Sequence, residues 1–325
     1  MHQKSSEILR LFRSESGFVS GEAISRELGV SRTAVWKHIS TLRRAGYRIE
    51  ALPSRGYRLL SAPDILVAQE ITAVLDGSRI GKYLECLQQT ASTNADAMRL
   101  AEAGAVEGTV VIADAQTDGK GRRGRVWSSP AGVNLYCSIV LRPQILPHEA
   151  PQLTFLSAVA VAQAIELNSS CTPTIKWPND ILIDGKKVAG LLNEMSAETD
   201  GINCVVLGIG VNLNMTVDQF PADLRSPATS LLIESRVRVV RSRFAASLLN
   251  ALDRLYNDFL ASGFGPVREE WQRRCNATGR QMVMSEGGVD RVSGLFAGID
   301  ADGSLLLRTE EGVLERIISG DVRVI

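Results

Sequence analysis

Between residues 119 and 125 the chain reads GKGRRGR, three glycines interleaved with Lys120, Arg122, Arg123 and Arg125. Glycines let a backbone come close to an anion, and four cations in so short a span can meet several negative groups at once. The spacing also spells G-x-G-x-x-G, the dinucleotide-binding fingerprint, which needs a helix directly after its third glycine. Here Gly124 is followed by RVWSSPAGVNLYCSIVL, where Pro130 and Gly132 interrupt and NLYCSIVL reads as strand. No G-K-[ST] ends the loop, so a Walker A site is excluded as well. What is left is a cationic loop tethered between two strands, TVVIA at 109–113 and NLYCSIVL. Such a loop suits a reaction that gathers a carboxylate and a triphosphate. Trp127, just beyond it, either stacks on a purine or packs.

Other chemistry-bearing residues fall at the ends of expected elements. Ser92, Thr93 and Asn94 open a helix, where they serve either as simple caps or as hydrogen-bonding partners of a polar ligand. The strand TIKW runs into Asn179 and Asp180, a strand end suited to a magnesium–phosphate group. ILID and VAGLLNEM meet at a tight Gly185 turn with Lys186 and Lys187 at its exit. These are either ordinary turn lysines or, for one of them, an inward cation bridging carboxylate and phosphate. CVVLGIGVNLN places Gly208 and Gly210 on a buried strand, expected to leave space for a flat ligand, with Asn212 and Asn214 at its end.

The elements that position these groups fall into three parts. The 325-residue chain has zero net charge, but residues 1–63 carry eleven Lys and Arg against five Asp and Glu. That first part has the pattern of a basic nucleic-acid module on an acidic body. Residues 4–14 form an amphipathic helix. Ser20 caps a second helix with Ala23, Ile24 and Leu28 inward, ended by Gly29, and Ser31 caps a third with Val35, Ile39 and Leu42 inward. This is a helix-turn-helix, whose last helix offers Arg32, Thr33, Trp36, Lys37, Ser40 and Arg44 to a DNA groove. PSRGYRLL adds a winged hairpin with Arg55 and Arg58 available to phosphates. A boundary is expected at Ser61–Asp64. Helices are expected over 67–75, 153–167, 240–261 and 265–275, and a strand over 82–88. From Gln281 onward, short β-prone runs separated by Gly and Asp turns predict a small β-barrel. Five dispersed cysteines without a C-x-x-C pair argue against a disulfide or metal framework and fit a reducing cytoplasm. The start of the chain has no signal-peptide core, and LTFLSAVAVAQAI is too short and interrupted to span a bilayer, so no membrane association is expected.

Together the helix-turn-helix, S-T-N, G-K-G-R-R-G-R-x-W, K-W-P-N-D, K-x-A-G-L-L and G-I-G-V-N resemble, in order and spacing, the bifunctional biotin–protein ligase/biotin operon repressor family, along the whole chain. The resemblance implies an α+β fold. It comprises a winged helix-turn-helix (1–63), a central α/β ligase domain with a mixed, class II synthetase-like sheet (64–276), and an SH3-like small β-barrel (277–325). It implies activation of biotin with ATP to biotinyl-5′-AMP, then transfer of biotin to one lysine of a biotin carboxyl carrier domain of acetyl-CoA carboxylase or a similar enzyme. The adenylate would also act as corepressor on operator DNA, through a homodimer. By the same resemblance Ser92, Thr93, Asn94 and Gln116 bound the biotin pocket, and Lys120, Gly121 and Arg122 close over carboxylate and phosphate. Arg123 and Arg125 serve the nucleotide by steadying phosphates, or steady the loop itself; Trp127, Asn179 and Asn212 serve the nucleotide, Asp180 a magnesium ion, and Lys187 the carboxylate and then the acyl phosphate. Arg122, Lys187 and Lys120 carry the catalysis. Two departures stand out: Ala91 precedes S-T-N where Asp is common, and Lys120 stands where Arg is common. A transcription factor that only senses biotin, and a ligase for another acid such as lipoate, are the competing readings. The intact loop and Lys187 argue against the first, S-T-N with G-R-R-G-R against the second.

Overall fold

Caps and apolar spacing build the first domain as expected. A computed structural model describes residues 3–324 except 16, 62, 199–200, 276, 278 and 287–288, so Ala62 of the first expected boundary and position 276 of the second lie outside the described residues. Helix α1 (Gln3–Ser14) packs on α2 (Gly21–Leu28) and α3 (Arg32–Arg44). The Ser20 and Ser31 side chains accept hydrogen bonds from the amides of Ala23 and Ala34, and Gly29 ends α2 in the left-handed conformation. Ile8, Leu9, Ile24, Leu28, Val35, Ile39 and Leu42 form the core of this domain. Strands β1 (Arg48–Leu52) and β2 (Gly56–Ser61) pair antiparallel as the wing.

The central domain is a seven-stranded sheet. Its strands are β3 (Leu84–Thr90), β4 (Val110–Gln116), β5 (Leu135–Leu141), β6 (Thr174–Lys176), β7 (Asp180–Ile183), β8 (Lys186–Glu198) and β9 (Gly201–Val211). The order is β3-β4-β5-β9-β8-β7-β6; β3 and β4 are parallel and every other pair is antiparallel. One face is covered by α6 (Gln152–Asn168), then α8 (Arg241–Ser262) and α9 (Gly265–Arg274). Twelve of the seventeen α6 residues are buried, so its apolar run is consumed by this core. On the other face, α5 (Thr93–Glu102) packs its Ala97 and Ala101 on Val111, Val140 and Val206. The part of that face beyond α5 is where a site can form.

Two expectations shift. The helix predicted over 67–75 is shorter, α4 (Ala68–Thr72), and the following strand begins two residues later than predicted. The cause is tertiary. On α8, Asn250 bonds the Val74 carbonyl and the Asp76 amide, and Asp253 accepts from the amides of Ser78, Arg79 and Ile80. These side chains compete with helical hydrogen bonding and pull the chain out of the helix. After α7 (Leu231–Ser235), α8 and α9, the C-terminal part forms one antiparallel five-stranded sheet. Its strands are β10 (Gln281–Glu286), β11 (Val289–Ile299), β12 (Leu305–Arg308), β13 (Leu314–Ile317) and β14 (Asp321–Val324), in the order β13-β12-β11-β10-β14. Register shifts between Met284 and Ser285 and between Phe296 and Gly298 bend it.

Buried charge ties the parts together. Arg241, 2% exposed, donates from its amide and Nε to Asp64 in the linker after the wing, and from Nη1 to Asp114 on β4 at 2.6 Å. Asp114 in turn accepts from the Gly132 amide, closing the base of the 117–130 loop. Removing Arg241 leaves half-buried Asp114 with the Gly132 amide alone, while Asp64 keeps Arg238 at 3.3 Å. Arg241→Ala is therefore expected to cost about 2–3 kcal/mol, read as lowered thermal and urea midpoints; an unchanged midpoint would show that the network does not bear on stability.

Candidate functional site

Glycines on the open face decide what lies against the sheet. A Cβ on Gly208 would collide with the Asn94 side chain, one on Gly210 would lie 2.6 Å from the Trp127 indole, and one on Gly190 3.0 Å from it. Asn94 and Trp127 therefore take up part of the space expected to admit a flat ligand at Gly208 and Gly210, while both glycines still line the cleft. The glycines still permit close approach, but of the protein's own side chains.

Asn94 donates from Nδ2 to the Leu192 carbonyl at 3.1 Å and to Glu194 Oε2 at 2.6 Å, and its Oδ1 accepts from Ser138 at 2.6 Å. Ser92 and Thr93 do not act as simple caps. Ser92 holds the N-cap position without a side-chain bond, and the Thr93 amide and hydroxyl instead donate to Gln116 Oε1, at 2.9 and 3.1 Å. Gln116 continues to Ser129 at 2.9 Å. Side chains from α5, β4 and β5 thus form one buried polar network at the floor of the pocket. Ala91, where a carboxylate is common, is exposed and contributes its carbonyl to the Asp118 amide.

The GKGRRGR segment is a small hairpin. Gly121 and Trp127 amides donate to the carbonyls of Arg125 and Gly119, both at 2.7 Å, around a single 3₁₀ turn at Arg122–Gly124. Arg122 is half-buried and donates to Asn179 Oδ1 at 3.2 Å. Burial, then repulsion from Arg123, draw its pKa below the usual guanidinium value, so an anion placed beside it would be strongly held. Lys120 is exposed, and Arg123 and Arg125 reach Asp321 of β14 at 3.8 and 2.6 Å. Lys187 turns inward, as one of the two alternatives allowed. It meets Asp180 Oδ1 at 2.6 Å and lies 5.3 Å over the Trp127 ring, while Lys186 pairs outward with Glu234. The Asp184–Gly185 turn, with φ 48° and 76°, sets this divergence.

These groups line one cleft of about 1150 Å³. Lys120, Arg122, Arg123, Arg125, Lys176, Lys187, Arg225 and Arg323 contribute cations to it, and Asp180, Asp223 and Asp321 carboxylates, a cationic excess suited to polyanions. Sequence reasoning missed the wall made by Met215, Phe220, Pro221, Leu224 and Ala228, anchored where the Lys187 amide donates to the Pro227 carbonyl and the Lys187 carbonyl accepts from the Thr229 amide. The Pro221 and Pro227 punctuation was its only signal. Asn212 lines the cleft, yet it is 4% exposed and its side chain is already bonded to Asn134 and the Thr229 carbonyl, so it braces this wall. Asp180 does not head a metal cage: it is paired with Lys187, and no group of three or more His, Cys, Asp or Glu converges among the described residues. A cation here would rest on phosphate oxygens with at most one protein carboxylate. All five thiols are free; burial pushes Cys86 and Cys275 up to about 12, which leaves them protonated and unreactive at neutral pH.

A second surface lies on the first domain. Arg32, Thr33, Trp36 and Lys37 are exposed along α3, and Ser40 is half-buried on the same helix. Arg32 is paired with Glu22 at 2.9 Å, so that cation is shared with a carboxylate; Arg55 sits at the wing tip.

The chain matches the model of the biotin/lipoate A/B protein ligase family over residues 83–212, an HTH domain over 4–58 and the biotin protein ligase C terminal domain over 284–324. It is 42% identical to the bifunctional ligase/repressor BirA of Bacillus spizizenii over 98% of both chains. With the Escherichia coli protein of the same description it shares 31% identity over 94% of this chain and 92% of that one. The biotin protein ligase from Aquifex aeolicus in complex with biotin and ATP superimposes with a TM-score of 0.64, at 29% identity, over 75% of this chain and all of the other.

Asp321 gives this site a pH dependence. Burial raises its pKa, but the hydrogen bond from Arg125 and the charges of Arg125, Arg123 and Arg122 outweigh that and hold it below the ordinary value. The latch between hairpin and β14 is then complete above about pH 4 and is lost as pH falls through the lower, folded value. Asp321→Asn should reproduce the loss at neutral pH, as faster amide hydrogen exchange at 121–126 with exchange in the sheet unchanged. Equal exchange in both proteins would disprove the latch.

Proposed function

The chain belongs to the bifunctional ligase/repressor family, and from that premise we propose that it is a biotin–protein ligase whose reaction intermediate also controls its DNA binding. It joins biotin to ATP, giving biotinyl-5′-AMP and pyrophosphate, and transfers biotin to a specific lysine of a biotin carboxyl carrier domain. With the adenylate bound it represses transcription of biotin biosynthesis genes. The observation that carries the ligase reading is the convergence on one cationic cleft of the network joining S-T-N to Gln116 with Arg122, Lys187 and Trp127.

In this reading the biotin carboxylate attacks the α-phosphorus of ATP, so two anions must be brought into contact. Ser92, Thr93, Asn94 and Gln116 hold the ureido ring. Arg122, Lys120 and the Gly121 amide draw the carboxylate in, and Lys187 bridges it to the α-phosphate, exchanging Asp180 for the new anion. Arg123 and Arg125 steady phosphates, and Trp127 and Asn179 flank the nucleotide. Magnesium arrives as the ATP complex. In the second step a carrier lysine amine attacks the acyl carbon and AMP leaves, with no covalent enzyme intermediate. Closure of the hairpin shields the mixed anhydride from water in between.

For repression, Arg32, Thr33, Trp36, Lys37, Ser40 and Arg55 meet operator DNA. A homodimer formed through the central sheet spaces two winged domains over a palindrome. The β8 segment 192–198 supports that arrangement: beyond Gly190 its strand partner among the described residues is β9 alone, leaving an open edge. The protein acts in the cytoplasm, apart from any membrane.

Pure protein given ATP, magnesium and labelled biotin should label a biotin carrier domain; label transferred from lipoate instead, or from neither acid, would end the biotin assignment. Arg122→Ala is expected to weaken retention of biotin and adenylate by roughly 10- to 100-fold, the loss of a charge-assisted contact in a partly buried site. Unchanged affinity would mean that the hairpin has another task. Gel shifts with DNA upstream of biotin genes should require biotin plus ATP, and equal binding without them would remove the corepressor role.

A further inference from the structure

The wing carries a feature that the ligase reaction does not use. Arg55, at the turn between β1 and β2, and Arg58, on β2, both place their guanidinium carbons over the Phe18 ring, at 4.7 and 4.8 Å from its centroid. Phe18 belongs to the short segment that precedes α2. Its neighbour Val19 pairs with Tyr57 of β2 in both directions, at 2.8 and 2.9 Å, so this segment acts as a third strand of the wing. The approach is so close that a Cβ on Gly56 would overlap the Val19 carbonyl. The next residue, Ser20, caps α2. One continuous stretch, Phe18-Val19-Ser20, therefore joins the wing to the first helix of the helix-turn-helix.

We propose that Phe18 is a positioning residue for DNA binding: its ring holds Arg55 and Arg58 as a paired cationic fork that grips the sugar–phosphate backbone beside the groove read by α3. The physical case rests on entropy and charge. Arginine side chains are long and rotamer-rich, and fixing each one on binding costs affinity unless it is already held. An aromatic face restrains a guanidinium without consuming its N–H donors, which stay free for phosphate oxygens. Arg58 also gives its Nε and Nη2 to Glu50 Oε2, at 3.2 and 2.7 Å, which steadies it and leaves its remaining N–H groups for phosphate, whereas Arg55 has no carboxylate partner among the described residues. Glu50 offsets part of the charge of Arg58, and a phosphate beside the ring neutralises what remains, chiefly that of Arg55. The stack thus favours an anion at this point of the wing.

This inference rests on the repressor reading, and the test separates the two. Binding of the full-length protein, with biotin and ATP, is measured on a duplex from upstream of the biotin genes over a range of salt concentrations. Phe18→Leu should weaken binding on the order of tenfold, the cost of immobilising two loosened arginines, while Phe18→Tyr, which keeps the ring, should bind as wild type. The double variant combining Arg55→Ala with Arg58→Ala should flatten the salt dependence by about two phosphate contacts. In that background Phe18→Leu should have little additional effect, because its action runs through the two side chains. Additive losses, failure of Phe18→Tyr to rescue, or full affinity in Phe18→Leu would each overturn the proposal while leaving the repressor reading intact. A wild-type protein that does not bind the duplex would overturn both.

Discussion

Close approach to the sheet is the constraint on which the site depends. At 190, 208 and 210, on two adjacent strands, no Cβ projects from the open face, and the side chains of Asn94 and Trp127 lie directly on backbone there. Asn94 is thereby placed within reach of Leu192, Glu194 and Ser138, which orients the start of α5 and with it Thr93 and Gln116. Trp127 anchors the far end of the cationic hairpin and carries Lys187 over its ring. Any larger residue at these positions would lift one of the two from the sheet, and the pocket floor or the hairpin would lose its reference point.

The second organising feature is the treatment of charge. A cleft that must bind a carboxylate and a polyphosphate needs more cations than it can leave unpartnered at close range. Here each inner cation has a provisional partner of modest strength: Arg122 a neutral amide, Lys187 one carboxylate, Arg123 and Arg125 a shared carboxylate from another domain. These contacts hold the side chains near their working positions, and a phosphate or carboxylate can replace them with a stronger one. Because one of the partners, Asp321, lies on β14, the C-terminal sheet takes part in setting the hairpin. Through the buried Arg241, with Asp64 and Asp114, the base of the same hairpin is joined to the linker that carries the winged domain.

Much of this was legible in the residues themselves. The caps Ser20 and Ser31, the glycine end of α2 and the i, i+4, i+7 spacing of Val35, Ile39 and Leu42 are local rules, and they were obeyed locally. Strands on both sides of GKGRRGR excluded a nucleotide-binding helix, and the hairpin between β4 and β5 agrees. The order of motifs identified the family because order and spacing are properties of the chain. Side-chain partners were not legible in this way. Ser92 looks like a cap but makes no capping bond, since Gln116, far along the chain on β4, supplies the acceptor for the helix start.

The sequence by itself determined most of the elements, the three-part organisation and the kind of chemistry, because propensity, capping and charge type act over a few residues. Only the tertiary structure decided which lysine of the Lys186–Lys187 pair faces inward, that the glycine face seats Asn94 and Trp127, that α4 stops at Thr72 and that β14 holds the hairpin's arginines. Each of those outcomes depends on contacts between segments far apart in the chain. Whether such contacts form is set by how the sheet, α8 and the C-terminal strands close upon one another, which no short stretch of residues encodes.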